Sequence, residues 1–138
     1  MTYRIETPSN IAEIIQLLDE RLYEYNAKTI QKKDGKLFSF IVKEDTAKMV
    51  AGIAGWMWAN ACEITLLWVD EQYRKKGFGK MLLRKAEEEA ANAGCNVILI
   101  RSYAFQAPFF YEKQGYKIDH IIDDFPEGYK YYTLIKRM

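Results

Sequence analysis

The sequence predicts an α/β domain in which a mixed β-sheet is flanked by helices, and three observations predict it. Apolar residues recur at three- and four-residue spacing in two segments, Ile11 to Leu22 and Gly79 to Ala93, as amphipathic helices require. Between them lie three closely spaced runs of β-branched and aromatic residues, the pattern of an antiparallel meander. A short continuous apolar run, Val97 to Ile100, follows the second helix directly, which is the order of a parallel crossover whose second strand is covered on both faces.

In order along the chain, Tyr3 to Glu6 reads as a short strand, and Thr7, Pro8, Ser9 and Asn10 announce a helix, with Asn10 and Glu13 at capping-box spacing. Ile11, Ile14, Ile15, Leu18 and Leu22 form one apolar stripe, expected to lie against the core while Glu13, Asp19 and Glu20 face water. The polar stretch Gln31 to Lys36, with Asp34-Gly35 as a turn signal, leads into Leu37 to Lys43, Met49 to Trp58 and Cys62 to Val69 as the meander. The second helix carries Leu82, Leu83, Ala86 and Ala90 on one face and stops at Gly94, a C-terminal cap. After the crossover strand come a short helix, Ala107 to Gln114, closed by Gly115, and two last strands, Tyr116 to Ile122 and Lys130 to Ile135. No repeat or linker divides residues 1–138, so one domain is expected.

Composition excludes several function classes. With 49% hydrophobic and 28% charged residues the chain resembles an ordinary globular domain. Twenty basic against 19 acidic residues leave no strong field to favour nucleic acid or an anionic membrane. No apolar stretch approaches the ~18 residues of a membrane span, and the start MTYRIETPSN lacks the regions of a signal peptide, so a cytoplasmic location is expected. Cys62 and Cys95 have neither metal-ligand spacing nor the density of a disulfide framework and read as reduced, buried thiols. No metal site is expected.

The chemistry is carried by the segment from Leu66 to Lys80, which runs from strand through loop into helix. Amides at a helix N-terminus point outward without partners, and the helix dipole adds roughly 0.3 to 1 kcal/mol for an anion there. Gly77 and Gly79 let a phosphate approach the backbone, and Arg74, Lys75, Lys76 and Lys80 add positive charge. The loop matches neither the P-loop pattern nor the dinucleotide fingerprint.

Arg74-Lys75-Lys76-Gly77-Phe78-Gly79 instead resembles the acetyl-CoA motif of the GNAT superfamily: Arg or Gln, any two residues, Gly, any residue, Gly or Ala. The strand before it, the long helix after it and the later Ala107-Pro108-Phe109-Phe110-Tyr111-Glu112-Lys113-Gln114-Gly115-Tyr116 resemble the rest of that domain, so the likeness covers nearly the whole chain. It resembles small bacterial members in particular. Two positions depart from the pattern: Ala104 stands where many members have an asparagine, and Tyr129 follows Gly128 where relatives often have a histidine.

The resemblance implies a GNAT-like sheet, an antiparallel meander plus a splayed parallel strand pair, and an acetyl-CoA-dependent N-acetyltransferase. The acetyl group would pass directly, in a ternary complex, to a primary amine of a small molecule or peptide. It implies cofactor contacts from Leu67, Trp68 and Val69 of the strand, from Arg74, Lys75, Lys76, Gly77, Phe78, Gly79 and Lys80 of the loop and helix start, and from Phe110. Tyr111 takes the position of the family tyrosine that protonates the departing thiolate, and Glu63 that of a glutamate acting as base through water. Alternation along the strand places Glu63, Thr65 and Leu67 on one sheet face. Trp56, Trp58, Tyr23, Tyr25, Asp123, Asp124 and Glu127 are candidates to frame a cationic acceptor. Such families commonly form homodimers. The competing reading is a noncatalytic acyl-CoA-binding sensor or interaction module on the same fold. His120 has no partner pattern and stays outside the site.

Overall fold

A computed structural model describes residues 1–138. Its elements are α1 (Ile11–Ile30), β1 (Lys36–Lys43), β2 (Met49–Trp58), β3 (Ala61–Val69), a 3-10 turn (Glu71–Tyr73), α2 (Phe78–Asn92), β4 (Val97–Tyr103), α3 (Pro108–Lys113), β5 (Lys117–Ile122) and β6 (Tyr131–Arg137). The six strands form one sheet in the order β1-β2-β3-β4-β6-β5. Only β3 and β4 run parallel; every other neighbour pair is antiparallel. The expected meander and parallel crossover are both present. No helix is long and apolar enough to cross a membrane.

Helix α2 closes the crossover over one face of the meander. Its Leu82, Leu83, Ala86 and Ala90 are buried in one cluster with Ile53 and Met57 of β2, Cys62 and Ile64 of β3 and Ile98 and Ile100 of β4. Each large side chain buried this way contributes roughly 1.5–3 kcal/mol. At the end of α2, Gly94 takes φ +87° and the Cys95 amide reaches back to the Ala90 carbonyl at 2.8 Å, the closing bond of a Schellman cap. Both cysteines are free and buried.

Helix α1 corrects the sequence reading. Its apolar stripe does not face the core: Ile11, Ile15, Leu18 and Leu22 are each more than half exposed, and Ala27 is the one buried residue of the helix. The periodicity identified the apolar face correctly, but periodicity says nothing about which surface covers it. Tyr3 to Glu6 form no strand, and Asn10 makes no side-chain bond to the helix backbone; its amide donates to the Glu13 carboxylate at 3.0 Å.

A bulge in β3 positions the site. Ala54 opposes Leu66 while Gly55 opposes Ile64, so Thr65 is the extra residue, and its hydroxyl donates to the Ala54 carbonyl at 3.2 Å. A Cβ on Gly55 would lie 2.1 Å from the Glu63 carbonyl oxygen and 2.7 Å from the Phe38 ring, so no larger residue fits beside the bulge. The parallel pairing of β3 with β4 ends at Ile64↔Ile100, at this same level. Beyond it the two strands part.

The bulge also overturns the simple alternation expected for β3. Glu63 opposes Trp56, whereas Leu67 opposes Ile53 on the face packed against α2. One extra residue reverses the alternation, so Glu63 and Leu67 lie on opposite faces.

Candidate active site

Where β3 and β4 part, a cleft of about 670 Å³ opens. One wall is Thr65 to Val69 of β3, and the other is Arg101 and Ser102 of β4 with Ala107, Phe110 and Tyr111 from α3. The loop residues Tyr73, Arg74 and Lys75 and the start of α2, Gly77 to Lys80, complete it.

The loop is held by bonds within itself and to the β1–β2 turn. The Asp70 carboxylate accepts from the Gln72 amide at 3.0 Å and so starts the 3-10 turn. The Tyr73 hydroxyl donates to Glu44, which lowers the pKa of that carboxylate and raises that of the phenol. Arg74 Nε donates to the Val69 carbonyl at 3.2 Å, folding the loop back on the end of β3. Lys75 and Gly77 both have positive φ, +64° and +83°. Nothing lies within 4 Å of a Cβ built on Gly77, so the left-handed backbone, and not crowding, favours glycine there. That reversal opens α2, whose first amides have no intrahelical acceptor and lie along the cleft.

The second wall depends on one buried polar residue. Ser102 is 2% exposed; its hydroxyl accepts from the Ala107 amide at 3.4 Å and donates to the Tyr103 carbonyl at 3.3 Å. This joins the end of β4 to the start of α3, where Pro108 sits in the first turn. Phe110 thereby reaches the first turn of α2, its ring 3.7 Å from where a Gly79 Cβ would lie. Tyr111 packs edge-on to Phe110 and Tyr116, with ring centroids at 5.3 and 6.0 Å. Burial pushes its phenol up to about 12; the residue lines the cleft, and its hydroxyl makes no hydrogen bond inside the chain.

Most of the residues singled out from the sequence come together here: Leu67, Trp68, Val69, Arg74, Lys75, Gly77, Phe78, Gly79, Lys80, Phe110 and Tyr111. Two do not line the cleft. Lys76 projects over the Tyr73 ring, 5.7 Å from its centroid, and Glu63 lies before the strands part, its carboxylate 3.4 Å from Arg101. Arg101 and Ser102 were missed by sequence reasoning. Arg101 had a readable signal, a lone charge directly after Val97 to Ile100; Ser102 had none.

The residues considered for an acceptor are dispersed. Tyr23 and Trp58 pack against each other at 6.1 Å near the end of α1, Tyr25 is exposed, and Asp123 pairs with Lys130 in the last loop. The Asp124 carboxylate accepts from the Gly128 amide at 3.0 Å within that loop. His120 is an exposed residue of β5.

A split parallel pair beside a glycine-turned basic loop at a helix N-terminus forms a cleft suited to a phosphate-bearing ligand, and comparison with known proteins supplies the family. Residues 2–116 match the model of the Acetyltransferase (GNAT) family. The chain is 33% identical over 98 residues to the blasticidin-S acetyltransferase of Streptomyces morookaense, covering 68% of this chain and 70% of that one. It is similar to the crystal structure of an acetyltransferase from Bacillus cereus, with TM-score 0.80 and 32% identity over 99% of this chain and 98% of the other. A candidate acetyltransferase from Agrobacterium tumefaciens superposes with TM-score 0.84 at 25% identity, covering 100% of both chains. The chain belongs to the GNAT acetyltransferase family.

Proposed function

We propose that the chain transfers an acetyl group from acetyl-CoA to a primary amine of a small molecule or peptide, both held together in the cleft. The observation that carries this reading is the loop from Arg74 to Lys80 set at the parting of β3 and β4. It offers free helix amides, an open approach at Gly77 and the charges of Arg74, Lys75 and Lys80 to a pyrophosphate. The unpaired edge of Leu66 to Val69 offers backbone groups to an amide-containing pantetheine arm, and Phe110 an apolar wall. When bound, acetyl-CoA supplies an acyl group activated as a thioester. A backbone donor on β3 aimed at the thioester oxygen would contribute about 3 kcal/mol in the transition state.

Tyr111 is the proton donor in this reading. The phenol is protonated at working pH, and its residue lines the cleft in which a thiolate would leave. Because burial raises its pKa to about 12 and so weakens it as an acid, donation depends on its positioning. The acceptor ammonium, with a pKa of about 10.4 if it resembles lysine, must lose a proton before attack. In this reading Glu63, which does not line the cleft and is ion-paired to Arg101, which does, serves as base only through water.

Calorimetric titration of acetyl-CoA into the native chain and a Gly77→Glu variant tests the cofactor half. Binding by the native chain, lost at least about 100-fold in the variant, is expected; a folded native chain that does not bind would overturn the reading. For the acceptor half, CoA release is followed with polyamines, amino acids and lysine peptides, with blasticidin S included because a relative is named for it. Tight cofactor binding with no amine-dependent release across the panel would leave a noncatalytic binding module.

A further inference from the structure

The structure leaves two apolar surfaces bare in one chain. The first is the stripe of α1: Ile11, Ile15, Leu18 and Leu22. The second is the sheet face opposite α2, where Leu37, Ile41, Leu66 and Trp68 are exposed at 84%, 50%, 68% and 46%. A compact monomer of this mass exposes about 7,500 Å². This chain exposes 10378 Å², an excess of about 2,900 Å². The unpacked residues 1–10 supply part of that excess; two chains that each buried half of it would bury about 2,900 Å² together, in the range of obligate homodimers, roughly 2,000–5,000 Å².

Helix α1 does not cover its own sheet, and it is anchored near its C-terminal end. The Gly35 amide donates to the Tyr23 hydroxyl at 2.9 Å, Trp58 donates its indole N–H to the Lys32 carbonyl at 2.9 Å, and the two rings pack edge-on. These contacts hold the C-terminal end of α1. From Tyr23 back to Ile11 the helix runs about 18 Å. Over residues 1–22 every side-chain hydrogen bond and ion pair is to a residue within four positions. Residues 1–30 are more than a fifth of the chain, so a TM-score of 0.84 over full length requires part of this segment to lie similarly in the Agrobacterium tumefaciens structure.

We infer that the protein is a reciprocally exchanged homodimer: α1 of each chain lies with its apolar stripe on the open sheet face of the other. A two-fold pair sets each of the two surfaces against the other, twice, and leaves none over. Leu66 and Trp68 belong to the cleft lining as well as to the open face, so the partner's α1 also walls the cleft on that side.

Two variants test the exchange. One carries Ile15→Glu with Leu18→Glu on the helix, the other Leu37→Glu with Ile41→Glu on the sheet face. In sedimentation equilibrium the native chain is expected at twice its 16.2 kDa and each variant alone at the single mass. An equimolar mixture of the variants is expected to recover double mass, because a mixed pair places both defects in one half and leaves the other half native. If a variant fails to fold alone, coexpression with a tag on one chain gives the same reading by recovery of the tagged and untagged pair. A native monomer at all concentrations, or a native dimer whose variants do not complement, would overturn the inference.

Discussion

Helices α1 and α2 carry apolar stripes of the same period, and the fold treats them in opposite ways. In α2, Leu82, Leu83, Ala86 and Ala90 are buried against three strands; in α1, four large aliphatic residues of the stripe are more than half exposed. The difference comes from tethering. Helix α2 is fixed at both ends, by the loop after β3 and by the short link into β4, so the crossover presses its stripe onto the sheet. Helix α1 is fixed at one end, where Tyr23 meets Gly35 and Trp58. An amphipathic pattern states that a face must be covered, and the connections decide by what.

The largest expected effect sets the two stripes against each other. Leu83→Ala removes a side chain that is 1% exposed and should lower the stability of the folded body by about 2–5 kcal/mol, read as a shift in the urea midpoint. Leu18→Ala should leave that midpoint almost unchanged at protein concentrations low enough to keep the chain monomeric. Its cost should appear on the concentration axis, as weaker self-association. If Leu18→Ala destabilises a dilute monomer as Leu83→Ala does, α1 packs on its own chain and the contrast between the helices is lost.

The two walls of the cleft give the next contrast. Tyr111→Phe keeps the packing against Phe110 and Tyr116 and removes the proton, so amine-dependent turnover should fall about 100-fold while acetyl-CoA binding is unchanged. Gly55→Ala touches no ligand. Its methyl meets the Glu63 carbonyl, so it should cost about 1–3 kcal/mol and weaken acetyl-CoA binding through the displaced bulge. A Gly55→Ala chain of native stability would show that the bulge yields freely and does not set the parting of β3 and β4.

Much of this was legible in the sequence, for identifiable reasons. Order and type of the elements from α1 onward followed from periodicity and residue type, and Arg74 to Lys80 from charge and glycine spacing; the strand expected at Tyr3 to Glu6 did not form. The bulge at Thr65 was not legible, because one residue inserted into an apolar strand leaves no compositional trace; it moved Leu67 to the face opposite Glu63. Ser102 reads as an ordinary strand residue until the fold brings Ala107 to its hydroxyl. The covering of α1 was beyond reach for a different reason: a single chain's pattern is identical whether its stripe meets its own sheet or another's.

The smallest effect again separates the body from α1. Burial pushes the Cys62 thiol from 9.0, and the Tyr111 phenol from 10.0, up to about 12 in each case, and Tyr116 is raised further by burial and by Glu87. All three belong to the core beneath α2 and α3, whereas α1 buries only Ala27. A group whose pKa is raised by folding binds its proton more tightly in the folded chain. The stability this gives is whole below the unfolded pKa and is lost as pH rises toward 12. Urea midpoints should therefore hold level to about pH 9 and fall above it. Tyr111→Phe should show a shallower fall than the native chain because one of the three groups is gone. An equal slope in the two chains would mean that the Tyr111 hydroxyl ionises as readily in the fold as out of it, and that burial does not hold its proton.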